Sequence, residues 1–384
     1  MHHLYLHVPF CARRCSYCDF AIAVRRRVPA EAYVESIKEE LRLVGQGIGP
    51  LETIYFGGGT PSLLPPESIA ALINTIASYA SFPTPSSYAS SPSLFSNVEV
   101  TLEANPDDVT PASAAAWRRA GVNRVSLGAQ SFDEAVLRWM HRTHDAASIS
   151  GAVQSLREAG IDNISLDLIF ALPEELQRDW SRDLEMALAL LPSHLSLYGL
   201  TVEPRTPLAR WVSRGATAPA PDDRYADEYL LAHERLAAAG YAFYEVSNAA
   251  RPGFESRHNA AYWTGRPYLG LGPSAHSFDG GTRRWNLSAW EAYHRAVSEG
   301  RSPVESEELL SAEQRDLEAL YLGLRTSAGI NTARPVLARP GPSFTACLDN
   351  GWLIEDGSRL RCSPEGWLRL DSLVAALTGG APAL

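Results

Sequence analysis

Short apolar runs that alternate with amphipathic segments constrain the fold of this chain more than any other feature of its sequence. The segments between the runs carry apolar residues at helical spacing. Strand–helix alternation of this kind predicts a parallel sheet whose chemistry lies at the carboxyl ends of the strands. Within about the first 200 residues the apolar runs are Leu4–Val8, Thr53–Phe56, Val98–Glu103, Arg124–Leu127, Ile164–Phe170 and Leu195–Leu200.

The number of strand–helix units narrows the fold further. Six units are too few for a closed eight-stranded barrel, and no G-x-G-x-x-G follows the first strand as it does in dinucleotide-binding sheets. We therefore predict an α/β fold in which residues 1–205 form a partial (β/α)6 TIM-like barrel. We expect residues 206–303 to complete this barrel. Residues 304–384, where helices flank a predicted β-hairpin, are expected to form a small winged-helix-like domain.

The net charge and the amino-terminal sequence indicate which kinds of partner the protein binds and in which part of the cell it is expected. The 384 residues include 34 basic and 44 acidic ones, for a net charge of −10. A polyanionic partner needs a basic surface, so we expect no binding of nucleic acid. No basic segment followed by an apolar run opens the chain, and we expect a cytoplasmic protein. A dimer and a peripheral association with a membrane are both compatible with these residues.

Three of the five cysteines lie close together. Cys11, Cys15 and Cys18 are spaced C-x3-C-x2-C directly after the first predicted strand. Three thiolates on one short loop can hold three corners of a [4Fe–4S] cluster and leave the fourth iron open to a chelating ligand. The alternative is a structural zinc site with His7 as the fourth ligand, although such sites usually use two pairs of ligands. The remaining cysteines, Cys347 and Cys362, are expected in the core.

Glycines and polar residues stand at the ends of the next four predicted strands. A glycine run lets a ligand approach the backbone, although it also fits a plain tight turn. A carboxylate inside an apolar strand needs a partner, which is either a ligand or a structural ion pair. The residues concerned are Gly58, Gly59 and Thr60 after the second strand, Glu103 on the third, Gln130 after the fourth, Arg142 in the next helical segment, and Asp167 on the fifth.

The cysteine motif resembles that of the radical S-adenosylmethionine (radical SAM) superfamily. The segment Tyr5–Cys11 (YLHVPFC) and the segment Tyr17–Phe20 (YCDF) are similar to one branch of it. That branch contains the oxygen-independent coproporphyrinogen III dehydrogenase and the HemW family of heme chaperones. In this superfamily the open iron chelates SAM, and one-electron cleavage of SAM gives a 5′-deoxyadenosyl radical.

The resemblance implies roles for the residues at the strand ends. It places the amino group of SAM at the glycine run and pairs the carboxylate of SAM with Arg142, whose guanidinium binds carboxylates in a fork. Glu103, Gln130 and Asp167 match residues that contact other polar groups of SAM. Tyr5 matches a further contact in the dehydrogenase, although strand packing explains it equally well.

Three features favour the heme chaperones over the dehydrogenase. Phe20 occupies the position of a fourth cysteine of the dehydrogenase, and the first strand begins by Leu4 without a long preceding extension. The segment Arg257–Trp263 (RHNAAYW) resembles the H-N-x-x-Y-W motif of the chaperones. The resemblance therefore implies transfer of heme to apo-proteins such as respiratory enzymes. The alternative is an enzyme that decarboxylates coproporphyrinogen III oxidatively to protoporphyrinogen IX.

A heme-binding protein needs a ligand for the heme iron. Imidazole is a common axial ligand, and aromatic faces stack on the macrocycle. His258, within the H-N-x-x-Y-W motif, is the leading candidate, and His276 in the segment Gly272–Phe278 (GPSAHSF) is the second. Each of the two also fits a purely structural histidine.

Overall fold

The computed structural model describes residues 1–45, 48–80, 97–333 and 342–378. The strands in these ranges are β1 (His3–Val8), β2 (Phe10–Cys11), β3 (Ala23–Val24), β4 (Thr53–Gly58), β5 (Glu99–Ala104), β6 (Arg124–Gln130), β7 (Asn163–Phe170), β8 (His194–Gly199), β9 (Ala242–Glu245), β10 (Asn248–Ala250), β11 (Tyr268–Leu271), β12 (His276–Phe278), β13 (Thr282–Asn286), β14 (Val304–Leu309), β15 (Ile330–Asn331), β16 (Leu353–Asp356) and β17 (Arg359–Cys362).

The helices lie mainly between the strands of the first two hundred residues and again towards the carboxyl end. They are α1 (Ala30–Val44), α2 (Pro66–Tyr79), α3 (Pro111–Ala120), α4 (Glu134–Trp139), α5 (Ala146–Glu158), α6 (Trp180–Ala189), α7 (Pro207–Ser213), α8 (Asp222–Ala238), α9 (Arg257–Trp263), α10 (Trp290–Ser298), α11 (Ala312–Arg325), α12 (Pro342–Asp349), α13 (Pro364–Trp367) and α14 (Leu370–Leu377). In the described parts of the chain, none of them is long and apolar enough to span a membrane.

Six parallel strands form the barrel. They are neighbours in the order β1-β4-β5-β6-β7-β8, and every adjacent pair is parallel. This arrangement confirms the predicted partial (β/α)6 barrel, and all six predicted strands are present with small differences at their ends. The largest of these differences is in β6, which continues three residues beyond the predicted end, to Gln130.

The sheet continues on both sides of the six parallel strands. On one side β11 runs parallel to β1, and β12, β13 and β14 follow it as antiparallel neighbours. On the other side β10 and β9 follow β8. The full order is β14-β13-β12-β11-β1-β4-β5-β6-β7-β8-β10-β9, so β14 and β9 form the two edges.

Alternation along the parallel strands separates an apolar layer from a polar interior. On β1, Leu4, Leu6 and Val8 are fully buried in the main hydrophobic core. Tyr5 and His7 lie on the opposite face, because successive side chains of a strand point to opposite sides of a sheet. The apolar layer anchors the barrel, while the polar face forms the inside of the site.

Side-chain caps fix where the helices that follow the strands begin. Thr110, Asp133, Asp145 and Asp179 accept hydrogen bonds from the first-turn backbone of α3, α4, α5 and α6. Such caps satisfy amide groups that have no partner within the helix. These caps therefore define the residue at which each helix begins after the preceding loop.

The carboxyl-terminal segment combines helices with a small sheet. The strands β15, β17 and β16 pair antiparallel in that order and lie among α11, α12 and α14. Cys347 and Cys362 are 4% and 3% exposed, which confirms their prediction as core residues. Strand β14, which begins at Val304, pairs with β13 of the large sheet. The predicted domain limits remain predictions.

Candidate functional site

A cavity of about 400 Å³ opens at the carboxyl ends of the parallel strands. This volume lies within the usual range for small-molecule sites. Most of the residues that the sequence predicts for a site line it together, although they come from six separate segments. They are Cys11, Cys15, Cys18, Gly58, Gly59, Thr60, Glu103, Gln130, Arg142 and Asp167.

The cysteine loop forms one wall of this cavity. Strand β2, which ends at Cys11, pairs in parallel with β3, so the chain folds back on itself around the other two cysteines. Cys11 is buried, and Cys15 and Cys18 are half-buried. The hydroxyl of Thr60 donates to the Sγ of Cys11 at 3.4 Å, and Arg142 donates to the Sγ of Cys15 at 3.5 Å. All three thiols are free.

The geometry bears on the choice between an iron–sulfur cluster and zinc. In the part of the chain that the structure describes, no three His, Cys, Asp or Glu side chains are placed to hold a single metal ion. The Nδ1 atom of His7 lies 3.1 Å from the Tyr5 hydroxyl, and its Nε2 atom lies 3.0 Å from the carbonyl oxygen of Ala21. Because both ring nitrogens are engaged, His7 offers no fourth ligand to zinc. A structural zinc site would therefore have only the three thiols as protein ligands, one short of the usual four.

Glycine is required at two positions beside the cysteine loop. Gly58 has a φ of +114°, and a Cβ atom there would lie 2.7 Å from the His7 ring. A Cβ atom at Gly59 would lie 2.7 Å from the carbonyl oxygen of Phe10. The amide of Thr60 donates to that same oxygen at 2.8 Å. The glycine run is therefore needed to pack β4 against the cysteine loop, and it also leaves the backbone open towards the cavity.

Glu103 provides a half-buried carboxyl group on the cavity wall. The Tyr55 hydroxyl donates to its Oε1 at 2.8 Å, and the amide of Gly58 donates to its Oε2 at 3.1 Å. Burial raises the pKa of Glu103 to about 7, and the nearby carboxylate of Asp167 adds to the rise. A cation beside these two carboxyl groups would relieve both effects, so this part of the cavity suits an ammonium or sulfonium group.

Asp167 and Gln130 lie further along the wall. The Ser126 hydroxyl donates to both oxygens of Asp167, at 3.0 and 3.1 Å, and the Ser165 hydroxyl donates at 3.2 Å. Hydroxyl groups thus satisfy this carboxylate. Gln130 has a φ of +67° and follows a shift of register between β6 and β7 after Leu127. Such irregularities redirect a side chain, and here Gln130 lines the cavity.

Arg142 connects the cysteine loop to the ends of β5 and β6. Its Nη2 atom donates to Asn105 Oδ1 at 2.5 Å and to the carbonyl oxygen of Gly128 at 2.9 Å. Within the described structure its Nε–H group is buried and has no partner. An unpaired guanidinium N–H beside the cavity is a donor available to a carboxylate. Asn105 is a site residue that the sequence pattern does not predict, although it stands two residues after Glu103 at the same strand end.

Tyr5 does not line the cavity, and it affects the site only through the neighbouring side chains that it contacts. Its ring stacks on Tyr55 with the centroids 6.0 Å apart. Its hydroxyl meets His7, which in turn holds the carbonyl of Ala21 beyond the third cysteine. Tyr5 thereby helps to position the return of the cysteine loop.

His258, the leading candidate for the heme ligand, is a buried side chain with partners on both ring nitrogens. It is 1% exposed, and its Nδ1 and Nε2 atoms lie 2.7 Å from the Thr53 hydroxyl and 2.8 Å from the Tyr262 hydroxyl. Burial lowers the pKa of His258 to about 3. Because Thr53 begins β4, this histidine lies at the end of the barrel opposite the cysteine loop. Both ring nitrogens thus have partners, as in a structural histidine, and binding of heme by His258 stays a prediction.

Comparisons with known proteins agree with this architecture. The model of the radical SAM superfamily matches residues 5–187. The chain is 37% identical to "Heme chaperone HemW" of Mycobacterium tuberculosis over 98% of this chain and 94% of that protein. It is 36% identical to "Radical S-adenosyl methionine domain-containing protein 1, mitochondrial" of Bos taurus, over 97% of this chain and 86% of that protein.

Among solved structures, coproporphyrinogen III oxidase (HemN) from Escherichia coli superimposes with a TM-score of 0.81, covering 98% of this chain and 89% of that one. At 20% identity this likeness shows a shared fold. A second protein named "Heme chaperone HemW", from Bacillus subtilis, is 34% identical over 86% of this chain and 85% of its own length. The chain therefore belongs to the HemW family within the radical SAM superfamily.

Proposed function

We propose that this protein is a heme chaperone, which holds a [4Fe–4S] cluster and SAM and passes heme to apo-hemoproteins such as respiratory enzymes. The observation that carries the proposal is the similarity to a heme chaperone at 37% identity over 98% of the chain. Membership of the radical SAM superfamily implies the cluster and SAM. The heme and its recipients rest on the names of the relatives.

We assign the cluster to Cys11, Cys15 and Cys18. Three free thiols on one folded-back loop border a single cavity, and Phe20, which is 62% exposed, occupies the next candidate position. When bound, the cluster supplies an open iron for SAM and the electron that cleaves it. The protein contributes the thiolates, and the Thr60 and Arg142 donors stabilise negative charge on two of them.

We assign SAM to the cavity beside the cluster. Arg142 would receive the carboxylate, because its Nε–H group is buried and unpaired and its other nitrogens are held in place. Glu103, with Gly58 and Gly59, would receive the ammonium group, since a cation relieves the raised pKa of this carboxyl group. Gln130 and Asp167 remain for the hydroxyl groups of the ribose.

Tyr5 and His7 would act on the cluster through the loop. Burial lowers the pKa of His7, so its imidazole is neutral at pH 7 and can donate one hydrogen bond while accepting another. The chain of contacts from Tyr5 through His7 to Ala21 therefore keeps the loop closed around the cysteines without adding charge.

A pair of assays separates the chaperone from the dehydrogenase. The reconstituted protein is incubated anaerobically with reductant, SAM and coproporphyrinogen III, and porphyrin products are quantified. A second sample is titrated with hemin, and the loaded protein is mixed with an apo-hemoprotein. We expect no protoporphyrinogen, a saturable Soret shift and transfer of heme. Turnover of coproporphyrinogen, or the absence of hemin binding, would contradict the proposal.

A further inference from the structure

A strip of aromatic side chains extends the inner face of the barrel beyond β1. Tyr268 on β11 pairs in register with His3 of β1 and with Phe278 of β12. Residues opposite one another on neighbouring strands share a face, so Tyr268 and Phe278 lie on the side of the sheet that lines the barrel. Their rings approach with centroids 6.4 Å apart. Two residues along β12, His276 lies on that same face.

His276 forms a cross-strand pair with Trp285. The two residues are partners in the register of β12 and β13, and their rings stack at 5.9 Å with an angle of 25° between the planes. His276 is exposed and Trp285 is half-buried. Neither ring nitrogen of His276 takes part in a hydrogen bond within the described residues. An accessible imidazole with both nitrogens unengaged contrasts with the buried and fully engaged ring of His258.

The pair lies at the end of the sheet that carries the cysteine loop. A Cβ atom on Gly272, which begins the turn after β11, would lie 2.6 Å from the carbonyl oxygen of His7. His276 is also close enough for its charge to lower the pKa of His7. A ligand on this face would therefore sit beside the radical SAM site and outside the cavity assigned to SAM.

A buried carboxylate holds the two strands that carry the pair. Glu40, on α1, is 2% exposed and accepts hydrogen bonds from the Gly272 amide at 2.7 Å and from Asn286 Nδ2 at 2.6 Å. The Tyr293 hydroxyl donates to it at 2.6 Å. Gly272 lies four residues before His276, and Asn286 directly follows Trp285. The Glu40 side chain therefore holds the chain segments that carry both members of the pair. Such support is what a preorganised binding site requires.

A cation lies at the other end of the same face. Arg283 stands two residues before Trp285 on β13 and is close enough to lower the pKa of His276. It pairs with Glu308 and Glu318, yet its side chain remains 31% exposed. An imidazole, a flat aromatic surface and an arginine thus follow one another along one sheet face.

We propose that heme binds on this face, with His276 as the axial ligand, Trp285 stacked on that imidazole so that it is held in orientation, and Arg283 near a propionate. The inference rests on the proposed function and adds the place where heme attaches. Imidazole matches the metal of heme and guanidinium matches its carboxylates, while the Trp285 ring, which lies nearly parallel to the imidazole, supports the ligand. Because the face lies outside the SAM cavity, heme and SAM can be held at the same time.

The test compares histidine variants of the reconstituted protein in anaerobic titrations with hemin. His276→Ala should change the Soret and EPR spectra and weaken binding at least about tenfold. His276→Gly with added free imidazole should regain the wild-type spectrum. His294→Ala is the matched control, because His294 also stacks on a tryptophan, Trp290, but its Nδ1 atom is engaged by Ser36. This control should bind hemin as the wild type does.

The outcomes separate this inference from the proposed function. If the wild type binds no hemin, both fail together. If the wild type binds and transfers heme while His276→Ala keeps the same spectrum and affinity, the function stands and this site is wrong. A further arm is His141→Ala, since His141 lies in the SAM cavity beside Trp211. Loss of the heme spectrum in that variant alone would also overturn the assignment to His276.

Discussion

Arg142 donates a hydrogen bond from Nη1 to the Sγ of Cys15 at 3.5 Å. A single guanidinium therefore touches a thiol of the cysteine loop and, through Nη2, the strand ends at Asn105 and Gly128. Its third nitrogen remains unpaired within the described structure. The arrangement couples the proposed cluster site to the proposed SAM site through one side chain.

Replacement of Arg142 tests this coupling. Arg142→Ala should weaken SAM binding by about 1.5–3 kcal/mol, because a hydrogen bond to a charged group is lost. The measurement is equilibrium binding of SAM to the anaerobically reconstituted variant, with iron content determined in parallel. Arg138→Ala is the control, since Arg138 is exposed at the end of α4. Unchanged affinity in the Arg142 variant would remove this residue from the site.

The network around Glu40 predicts a pH-dependent stability. Burial raises the pKa of Glu40 from 4.5 to about 7. Between these values the folded protein keeps a proton that the unfolded chain releases, so the contribution of Glu40 to stability falls as pH rises and levels off above pH 7. The free energy of unfolding of the wild type should drop by about 2–3 kcal/mol relative to Glu40→Gln between pH 5 and pH 8.

Urea unfolding of both proteins at the two pH values measures this difference. Glu35→Gln provides the matched control, because Glu35 lies on the same helix with 67% of its side chain exposed. We expect that control to follow the wild type across the range. A constant difference between the wild type and Glu40→Gln would show that Glu40 keeps an ordinary pKa in the folded protein.

The structural role of His258 is tested through its partner. Tyr262→Phe removes the hydroxyl that meets His258 Nε2 at 2.8 Å and leaves a buried ring nitrogen without a partner. The cost should be about 1–3 kcal/mol of unfolding free energy. Tyr268→Phe is the control, since the Tyr268 hydroxyl makes no hydrogen bond within the described residues. Thermal or denaturant unfolding reports the difference, and the same stability in both variants would argue against this role.

Much of the barrel follows from local sequence pattern. Buried parallel strands need apolar, β-branched runs, so the core of each strand is visible in the sequence, for example Asn163–Phe170. The site residues follow because the carboxyl ends of parallel strands meet at one edge. Arg142 and Glu103 are therefore brought to one cavity from separate segments, as the sequence predicts.

Other features depend on tertiary contacts that no local pattern reveals. The H-N-x-x-Y-W segment lies in the short helix α9. The histidine of this motif, His258, can be buried because the hydroxyl groups of Thr53 and Tyr262 satisfy both of its ring nitrogens. Strand β14 has the sequence VESEEL without an apolar face. It joins the sheet through cross-strand pairs such as Arg284 with Glu307, so its place could not be read from hydrophobic periodicity.

A matched set of cysteine variants tests the assignment of the metal site. The variant with Cys11, Cys15 and Cys18 all replaced by Ala should lose the brown absorbance and the bound iron. The variant with Cys347 and Cys362 replaced by Ala should keep both, since these two thiols are buried in the small carboxyl-terminal unit. Full retention of iron in the triple variant would contradict the assignment.

The most direct measurement is spectroscopy of the wild-type protein after anaerobic reconstitution with iron and sulfide, before and after SAM is added. We predict a [4Fe–4S] cluster by Mössbauer spectroscopy and, after reduction, an EPR signal that SAM alters because SAM binds the open iron. Bound zinc in place of iron, or a cluster whose EPR signal SAM leaves unchanged, would contradict the account.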